Sequence, residues 1–435
     1  MKVIISTVFS LLLLMGALTG TASAIIYLDI DQAKALFPIA ITEFKNLDGN
    51  PDTYNASKTM VDVISRDLEF TGLFKILPPE SFLEDPRNAG ITAEQINFPN
   101  WSAIGAQGLV KGGFSRKGKD LIVEARLFDV ISERFLVGRR YIGTEETLRR
   151  IAHKFANLIY ATLTGEEGLF ETKIAYIKEE NRQKEVYIMD FDGYNEQRFS
   201  YHGSIALSPR WSPDGKWIAF TSYKGGSPKL YIKDLNARQE IVVSQYRDLN
   251  ISPSWSPDAS EIALTLSKDG NPEVYIMDRQ GKNLRRLTND WGIDVSPTWS
   301  PDGKKIAFVS NRSGSPQIYT MDRNGANIQR VTFQGNYNSE PDWSPRGNKI
   351  VFSSRRDGAF QIVIINPDGT GEIQLTWEGN NEAPKWSRDG RHIVFASTRA
   401  GEKQIFSMLA NGTLVRQITR RGRNVSPSWS PPLYD

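Results

Sequence analysis

The sequence predicts a small α/β domain followed by an all-β, six-bladed β-propeller with four-stranded blades. Three observations predict this architecture: a repeated Trp-Ser-Pro-Asp-Gly motif, complementary strand segments at the two ends of the repeats, and a different pattern in the residues before them. They divide the chain into a signal peptide at 1–24, an α/β domain at 25–168 and a propeller at 169–435.

The repeat is anchored by a tryptophan that stands before serine, and consecutive anchors are 43 or 44 residues apart. Such a period, with several short strands in each copy, is typical of a propeller blade. The Trp-Ser stretch predicts a first strand, a Pro-Asp-Gly turn follows, and three further strand-like segments complete a four-stranded blade. We expect the anchors to form the core between blades: Trp211, Trp255, Trp299, Trp343, Trp386 and Trp429.

The two ends of the repeat region complement each other. Segments 173–177, 185–190 and 197–200 match the second, third and fourth strands of a blade, but no Trp strand precedes them. The last copy has its Trp strand, at 427–432, without the other three. We therefore expect the C-terminal strand to join the first segments, giving five whole blades and one shared blade. This closure removes the free sheet edges that the alternative, an open solenoid, would leave.

The N-terminal residues have the pattern of a secretory signal peptide. Met1 and Lys2 precede an apolar run at 3–18, and Ala22-Ser23-Ala24 matches the Ala-x-Ala signal that precedes cleavage. The run is short for a membrane span of about 20 residues, which disfavours the alternative of an uncleaved anchor. We expect cleavage after Ala24 and export. The chain has no cysteine, which excludes a disulfide framework, a thiolate metal site and a lipoprotein anchor.

Residues 25–168 lack the repeat and alternate strand and helix patterns. An apolar stripe predicts a helix that Thr144 begins and Gly165 ends, and the linker follows near 165–168. The other elements expected are strands at 37–44, 109–114, 121–130 and 134–142 and a helix at 52–68.

Composition and motifs narrow the function classes. The net charge of +3 balances plentiful acids and bases, which disfavours a nucleic-acid partner. A propeller-bearing peptidase or esterase would need a Gly-x-Ser-x-Gly elbow, which is absent from a sequence that also has only three histidines. We therefore expect a non-enzymatic binding protein. A protein-binding propeller is favoured, and the alternative is one that binds cell-wall glycan or peptide fragments through exposed aromatics beside a deep polar pocket.

With its signal peptide, α/β domain and six Trp-Ser-Pro-type blades, the chain resembles the TolB family, the periplasmic propellers of the Tol–Pal envelope system of Gram-negative bacteria. The resemblance implies a periplasmic monomer that supports outer-membrane integrity and cell division. It implies binding of the lipoprotein Pal at the mouth of the propeller channel, and through Pal a peripheral association with the outer membrane. It also implies that a tail at about 25–36 binds TolA, through Ile25, Ile26, Tyr27, Leu28, Asp29 and Ile30.

Candidate residues for the channel mouth recur three positions before each blade proline. They are Asn250, Asp294, Asn338, Asn381 and Asn424, with Ala206 as the exception. Because the first strand of a blade is innermost, we expect this ring to line the channel opening. The alternative is that asparagine and aspartate merely suit turns and unusual φ values. The family resemblance favours partner contact, and it adds the neighbouring positions Leu249, Ser252, Val295, Ser296, Glu340, Glu382 and Ser426.

Two further expectations concern ions and aromatic side chains. No cofactor is expected, although Asp294 and the ring amides could offer oxygen ligands to a channel cation such as calcium. Trp291 and Trp377 follow fourth strands where most copies have other residues. They could be binding anchors, but packing against a neighbouring blade is the favoured interpretation.

Overall fold

The computed structural model describes residues 28, 35–49, 52, 55–85, 90–236 and 239–433. The expected signal peptide at 1–24 lies outside the described residues, as does most of the tail at 25–36, including Ile25, Ile26, Tyr27, Asp29 and Ile30. Within the described part of the chain, no helix is long and apolar enough to span a membrane.

The N-terminal domain is built on one mixed sheet. Its strands are β1 (Phe37–Ile41), β2 (Lys45–Asn46), β3 (Phe74–Ile76), β4 (Gly108–Lys117), β5 (Asp120–Asp129) and β6 (Arg134–Gly143). Their order is β3-β1-β4-β5-β6, with β2 beside β4. Strand β1 is parallel to β3 and β4, whereas β4, β5 and β6 are antiparallel.

Helices cover both faces of this sheet: α1 (Ala56–Phe70), α2 (Phe98–Ala103) and α3 (Leu148–Thr164). The apolar stripes of α1 and α3 share one core with β1 and β4, while Trp101 of α2 covers the other face with Leu109 and Phe128. Asp52 was expected to be the first residue of this helix, but it lies before α1. Its carboxylate accepts the backbone N–H of Ala56 at 2.9 Å and so caps the start of the helix.

The sequence analysis missed β3 and α2, which have three and six residues and are too short to show a periodicity. The end of α3 was predicted correctly. Gly165 has a φ of 73°, the left-handed conformation that ends helices and that glycine adopts without strain.

The propeller consists, in the described residues, of six four-stranded antiparallel sheets. The blade that closes the ring contains β30 (Arg423–Trp429) beside β7 (Lys173–Glu180), β8 (Gln183–Asp190) and β9 (Gln197–Arg198). The next two blades are β10 (Ala206–Trp211), β11 (Trp217–Ser222), β12 (Lys229–Asp234), β13 (Glu240–Ser244), then β14 (Asn250–Trp255), β15 (Glu261–Leu266), β16 (Glu273–Asp278), β17 (Arg285–Arg286).

The remaining three blades repeat this arrangement. They are β18 (Asp294–Trp299), β19 (Lys305–Ser310), β20 (Gln317–Asp322), β21 (Gln329–Arg330), then β22 (Asn338–Trp343), β23 (Ile350–Arg356), β24 (Ala359–Ile365), β25 (Ile373–Gln374), and finally β26 (Asn381–Trp386), β27 (His392–Ser397), β28 (Gln404–Leu409), β29 (Arg416–Gln417). The predicted fold class is confirmed, including the closure of the ring by the C-terminal strand.

The repeated tryptophans lie between blades, as expected. All six are buried, with 5–8% of their surface exposed. The indole N–H of Trp255 donates to the backbone oxygen of Arg210 in the preceding blade at 3.2 Å, and Trp299 donates to Ser254 in the same way. Each such bond ties the end of one first strand to the next.

The N-terminal domain packs on one end of the propeller. Its Glu166 accepts hydrogen bonds from Arg346 and Arg391, which lie in turns between first and second strands. The ring of Phe70 stacks on His392 with centroids 4.3 Å apart. These contacts fall on the end that carries the first-to-second and third-to-fourth turns. We call the other end, which carries the second-to-third turns and the loops entering each first strand, the open face.

Candidate functional site on the open face of the propeller

First strands from all six blades line a cavity of about 60 Å³ on the propeller axis. This confirms that the first strand of each blade is innermost. Described residues on the wall include Ser208, Arg210, Ser252, Ser296, Glu340, Ala383, Lys385 and Ser426.

A ring of left-handed residues shapes this channel. In every first strand the residue before the blade proline has a φ between 50° and 54°: Ser208, Ser252, Ser296, Glu340, Ala383 and Ser426. The pairing with the second strand shifts at the same place, for example between Ile251 and Ser254. Each first strand therefore carries a bulge that brings one residue to the channel wall. Sequence reasoning missed this ring, because residues before proline are ordinarily extended.

The predicted ring of short polar residues has a different place. Asn250, Asp294, Asn338, Asn381 and Asn424 are completely buried, so the expectation that their side chains line the channel opening is wrong. The alternative is wrong too. None of these five described residues has a positive φ, and each lies at or near the start of a strand rather than in a turn.

Hydrogen bonds explain why these side chains are buried. The Asn338 amide donates to the Gln317 side chain and to the backbone oxygen of Gln334, both at 2.8 Å. Asn424 makes the equivalent bonds to Gln404 and to the backbone of Arg421. Asn338 and Asn424 therefore hold the loops that enter their own first strands, and they support the open face from beneath.

Asp294 is the charged member of the buried ring. Burial raises the pKa of its carboxyl group to about 6. Its Oδ2 lies 2.7 Å from a guanidinium nitrogen of Arg312. The carboxylate that was expected to help hold a channel cation is thus paired inside the blade, and no group of three or more acidic or histidine ligands is assembled among the described residues.

A pocket of about 420 Å³ with apolar and polar walls opens beside the channel. Ile293, Val309, Tyr337 and Phe360 line it together with four of the predicted site residues, which are Val295, Ser296, Glu340 and Glu382. Ser296 and Glu340 also line the channel, so the pocket and the channel are continuous.

The remaining predicted positions lie outside this pocket. Ser252 and Ser426 are on the channel wall. The half-buried Leu249 lies on another part of the rim, where its backbone N–H donates to the hydroxyl of Ser267 at 3.0 Å.

Large aromatic side chains are exposed in the loops that lead from fourth strands to the next first strands. Trp291 and Trp377 are 76% and 74% exposed, which overturns the expectation that they pack between blades. Tyr201 and Phe333 are also exposed, and sequence reasoning missed them. The signal was available, because Tyr201, Phe333 and Trp377 each directly follow a buried serine or threonine at the end of a fourth strand. Exposed aromatics of this kind mark interaction surfaces. We call these four residues the aromatic set.

The fold and this face define a class of protein: a propeller joined to an α/β domain, with a continuous pocket and channel on the free end. Comparison with family models makes the class specific. Residues 27–136 match the TolB amino-terminal domain, and residues 160–433 match the TolB beta propeller domain. The chain belongs to the TolB family.

Individual relatives agree with this assignment. Proteins named Tol-Pal system protein TolB are 43% identical over 191 residues in Desulfosudis oleivorans and 44% identical over 178 residues in Syntrophotalea carbinolica. These matches span 44% and 41% of this chain, and the same shares of the relatives' own length.

A solved structure matches over more of the chain. The crystal structure of TolB from Acinetobacter baumannii has a TM-score of 0.80 at 30% identity. The match covers 91% of this chain and 97% of that one.

Proposed function

We propose that this chain is a non-enzymatic, periplasmic interaction scaffold of the Tol–Pal system that supports outer-membrane integrity and envelope constriction at cell division. The observation that carries the proposal is the open face. It carries a pocket that is continuous with the channel, on the end of the propeller that the N-terminal domain leaves free, and the exposed Trp291 lies in a loop that enters one of the first strands there. Aromatic side chains around a desolvated pocket are typical of protein–protein hot spots.

The partner proposed for the open face is the lipoprotein Pal. The contact residues proposed are the pocket positions Val295, Ser296, Glu340 and Glu382 with the aromatic set around them. The buried ring would act indirectly, by fixing the loops that carry these residues.

The partner proposed for the N-terminal tail is TolA. One tail residue is described: the backbone N–H of Leu28 donates to the backbone oxygen of Leu163 at 2.8 Å, near the end of α3. Leu28 also packs against the core that α1 and α3 share. This attachment is on the N-terminal domain, away from the open face. The chain is proposed to act as a monomer without a resident cofactor.

A propeller that binds cell-wall glycan or peptide fragments is the second candidate. Exposed tryptophans such as Trp291 and Trp377 favour it, since aromatic faces also stack on sugars. The open-face pocket opposes it, because Ile293, Val309 and Phe360 make much of its wall apolar, whereas this alternative needs a deep polar pocket.

Calorimetric titration of the mature protein, residues 25–435, with the soluble domain of Pal tests the proposal. We expect saturable one-to-one binding. Replacing Trp291 and Trp377 with serine should weaken it at least about tenfold, a loss of about 1.4 kcal/mol. The matched control is Phe135→Ser, which removes an exposed aromatic from the N-terminal domain and should leave the affinity unchanged.

The other outcomes separate the candidates. Pal affinity that is unchanged in the double tryptophan variant would keep the proposed Pal-binding function but would show that Trp291 and Trp377 are not part of the binding site. No binding between folded partners, with saturable binding of muropeptides, would replace the proposal with the glycan alternative.

A further inference from the structure

We infer that the channel is a binding site for one carboxylate group, which Arg210 and Lys385 hold between them. For a carboxylate carried by a protein partner, this inference rests on the proposed function of the open face. For a small free carboxylate it does not.

The two cations occupy equivalent positions in different blades. Each follows the blade proline of its first strand, and both line the axial cavity. The blade between them has the small Ser428 at this position, so no long side chain separates the two cations. Burial and repulsion by Arg210 together lower the pKa of Lys385 to about 8. Both cations line one cavity of about 60 Å³, and two positive groups that share so small a space favour an anion between them.

The acidic groups of the channel already have partners. Asp342 accepts the backbone N–H of Trp386 at 2.9 Å and lies 3.2 Å from the Lys385 ammonium. Glu340 accepts the backbone N–H of Ala383 at 2.8 Å and the hydroxyl of Ser353 at 3.1 Å.

Arg210 is different. No described residue accepts a hydrogen bond from its guanidinium or forms an ion pair with it, although Asp342 and Glu340 attract it through space. Leaving a partly buried guanidinium without an acceptor is costly, and a carboxylate matches its fork of donors with two oxygens.

The size of the site and the way into it select the ligand. A cavity of about 60 Å³ has room for a few water molecules, which suits a carboxylate and excludes a sugar ring or a peptide. Ser296 and Glu340 line both the cavity and the open-face pocket, so the group enters from the open face. It is either the side chain of an acidic residue on the bound protein or a small free carboxylate.

The first arm of the test titrates residues 25–435 with sodium acetate at constant ionic strength, with sodium chloride as the reference. The signal followed is that of ¹³C-labelled lysine in NMR. We expect saturable acetate binding that moves the Lys385 resonance, and at least tenfold weaker binding in Arg210→Gln. Arg210→Lys keeps the charge and should retain part of the binding. The matched control is Arg247→Gln, which removes an arginine that is 89% exposed on the rim of the open face.

The second arm repeats the titration with the soluble domain of Pal. Weaker Pal binding in Arg210→Gln, but not in Arg247→Gln, shows that the carboxylate comes from the partner. Acetate binding with unchanged Pal affinity shows that it is a free molecule. Unchanged Pal affinity together with no acetate binding, or tighter binding of calcium chloride than of acetate, overturns the inference. If the wild-type protein does not bind Pal, the proposed function is wrong. The acetate titration still shows whether the channel binds a carboxylate.

Discussion

At the scale of single residues, the open face depends on groups that never reach its surface. The Asn338 side chain donates its amide hydrogens to the side chain of Gln317 in the preceding blade and to the backbone oxygen of Gln334 in the connecting loop. Buried polar groups that lose a partner cost more than the bond they made, because the group left behind stays desolvated.

We therefore predict that Asn338→Ala lowers the free energy of unfolding by about 2 kcal/mol. The control is Asn324→Ala, which removes an exposed turn bond to the backbone of Ala326 and should cost less than about 0.5 kcal/mol. Urea unfolding followed by tryptophan fluorescence measures both. Equal losses in the two variants would mean that the buried amide does not hold its loop.

Lys385 gives a second prediction at this scale. Its ammonium should titrate with a pKa of about 8, because burial and the nearby Arg210 both disfavour the charged form. Arg210→Gln should raise that pKa toward 10.5, the ordinary value, while Arg247→Gln should not change it. NMR of ¹³C-labelled lysine follows the titration. Because the folded-state value lies below the unfolded one, the contribution of Lys385 to stability increases as the pH rises from about 8 to 10.5. A Lys385 titration midpoint that is the same in Arg210→Gln and wild type would show that Arg210 does not affect the charge of Lys385.

At the scale of elements, β30 determines whether the propeller is a ring. It supplies the innermost strand of the blade whose other strands come from the start of the domain, with Val425 opposite Ile177 and Trp429 opposite Ile174. The indole N–H of Trp429 also donates to the hydroxyl of Thr172 at 2.8 Å. Without β30 the ring would be open and β7 would be a free edge strand.

Deletion of residues 423–435 is therefore predicted to abolish cooperative unfolding of the propeller and to cause aggregation through β7. Adding a synthetic peptide of residues 423–433 should restore the fold, because strand addition supplies the missing hydrogen bonds and Trp429. Circular dichroism during heating, with a scrambled peptide as control, measures the rescue. A truncated chain that still melts in one sharp transition would contradict this account of closure.

The elements also show what the sequence could and could not predict. Blade number and strand order follow from the tryptophan spacing, since a strict repeat forces each copy into the same environment, and closure follows from the complementary segments at the two ends of the repeats. The burial of Asn338 did not follow, because the same residue type suits a turn, a binding surface or a buried cap. Nor did the left-handed φ of Glu340, which depends on pairing with the neighbouring strand. The exposure of Trp291 depends on how far the loop between β17 and β18 projects into solvent, and no local sequence pattern determines that distance.

At the scale of the whole molecule, a buried charge cluster joins the two domains. His153 of α3 lies 2.7 Å from the Asp67 carboxylate of α1 and 3.8 Å from Asp192 of the propeller. Arg149 also pairs with Asp192. The cluster is therefore shared between the domains, and its protonation affects how firmly they hold together.

The last prediction concerns the pH dependence of this junction. Burial raises the pKa of Asp67 to about 6. Burial opposes the charged form of His153, but the Asp67 carboxylate outweighs that effect and raises the pKa of His153. Both folded-state values exceed the unfolded ones, so the folded protein binds more protons and the contribution of the pair to stability decreases as pH rises. The loss runs from about pH 4 to 6 for Asp67 and continues above 6.5 for His153.

Comparison of wild type with Asp67→Asn isolates this effect. The stability of wild type relative to the variant should fall by an amount on the order of 2 kcal/mol between pH 4 and 7. The exposed Asp120→Asn is the control, and its difference from wild type should change much less over the same range. Urea unfolding at a series of pH values measures all three proteins. A wild-type advantage over Asp67→Asn that grows with pH would mean that the pair is held as an ordinary ion pair, with the Asp67 pKa lowered rather than raised.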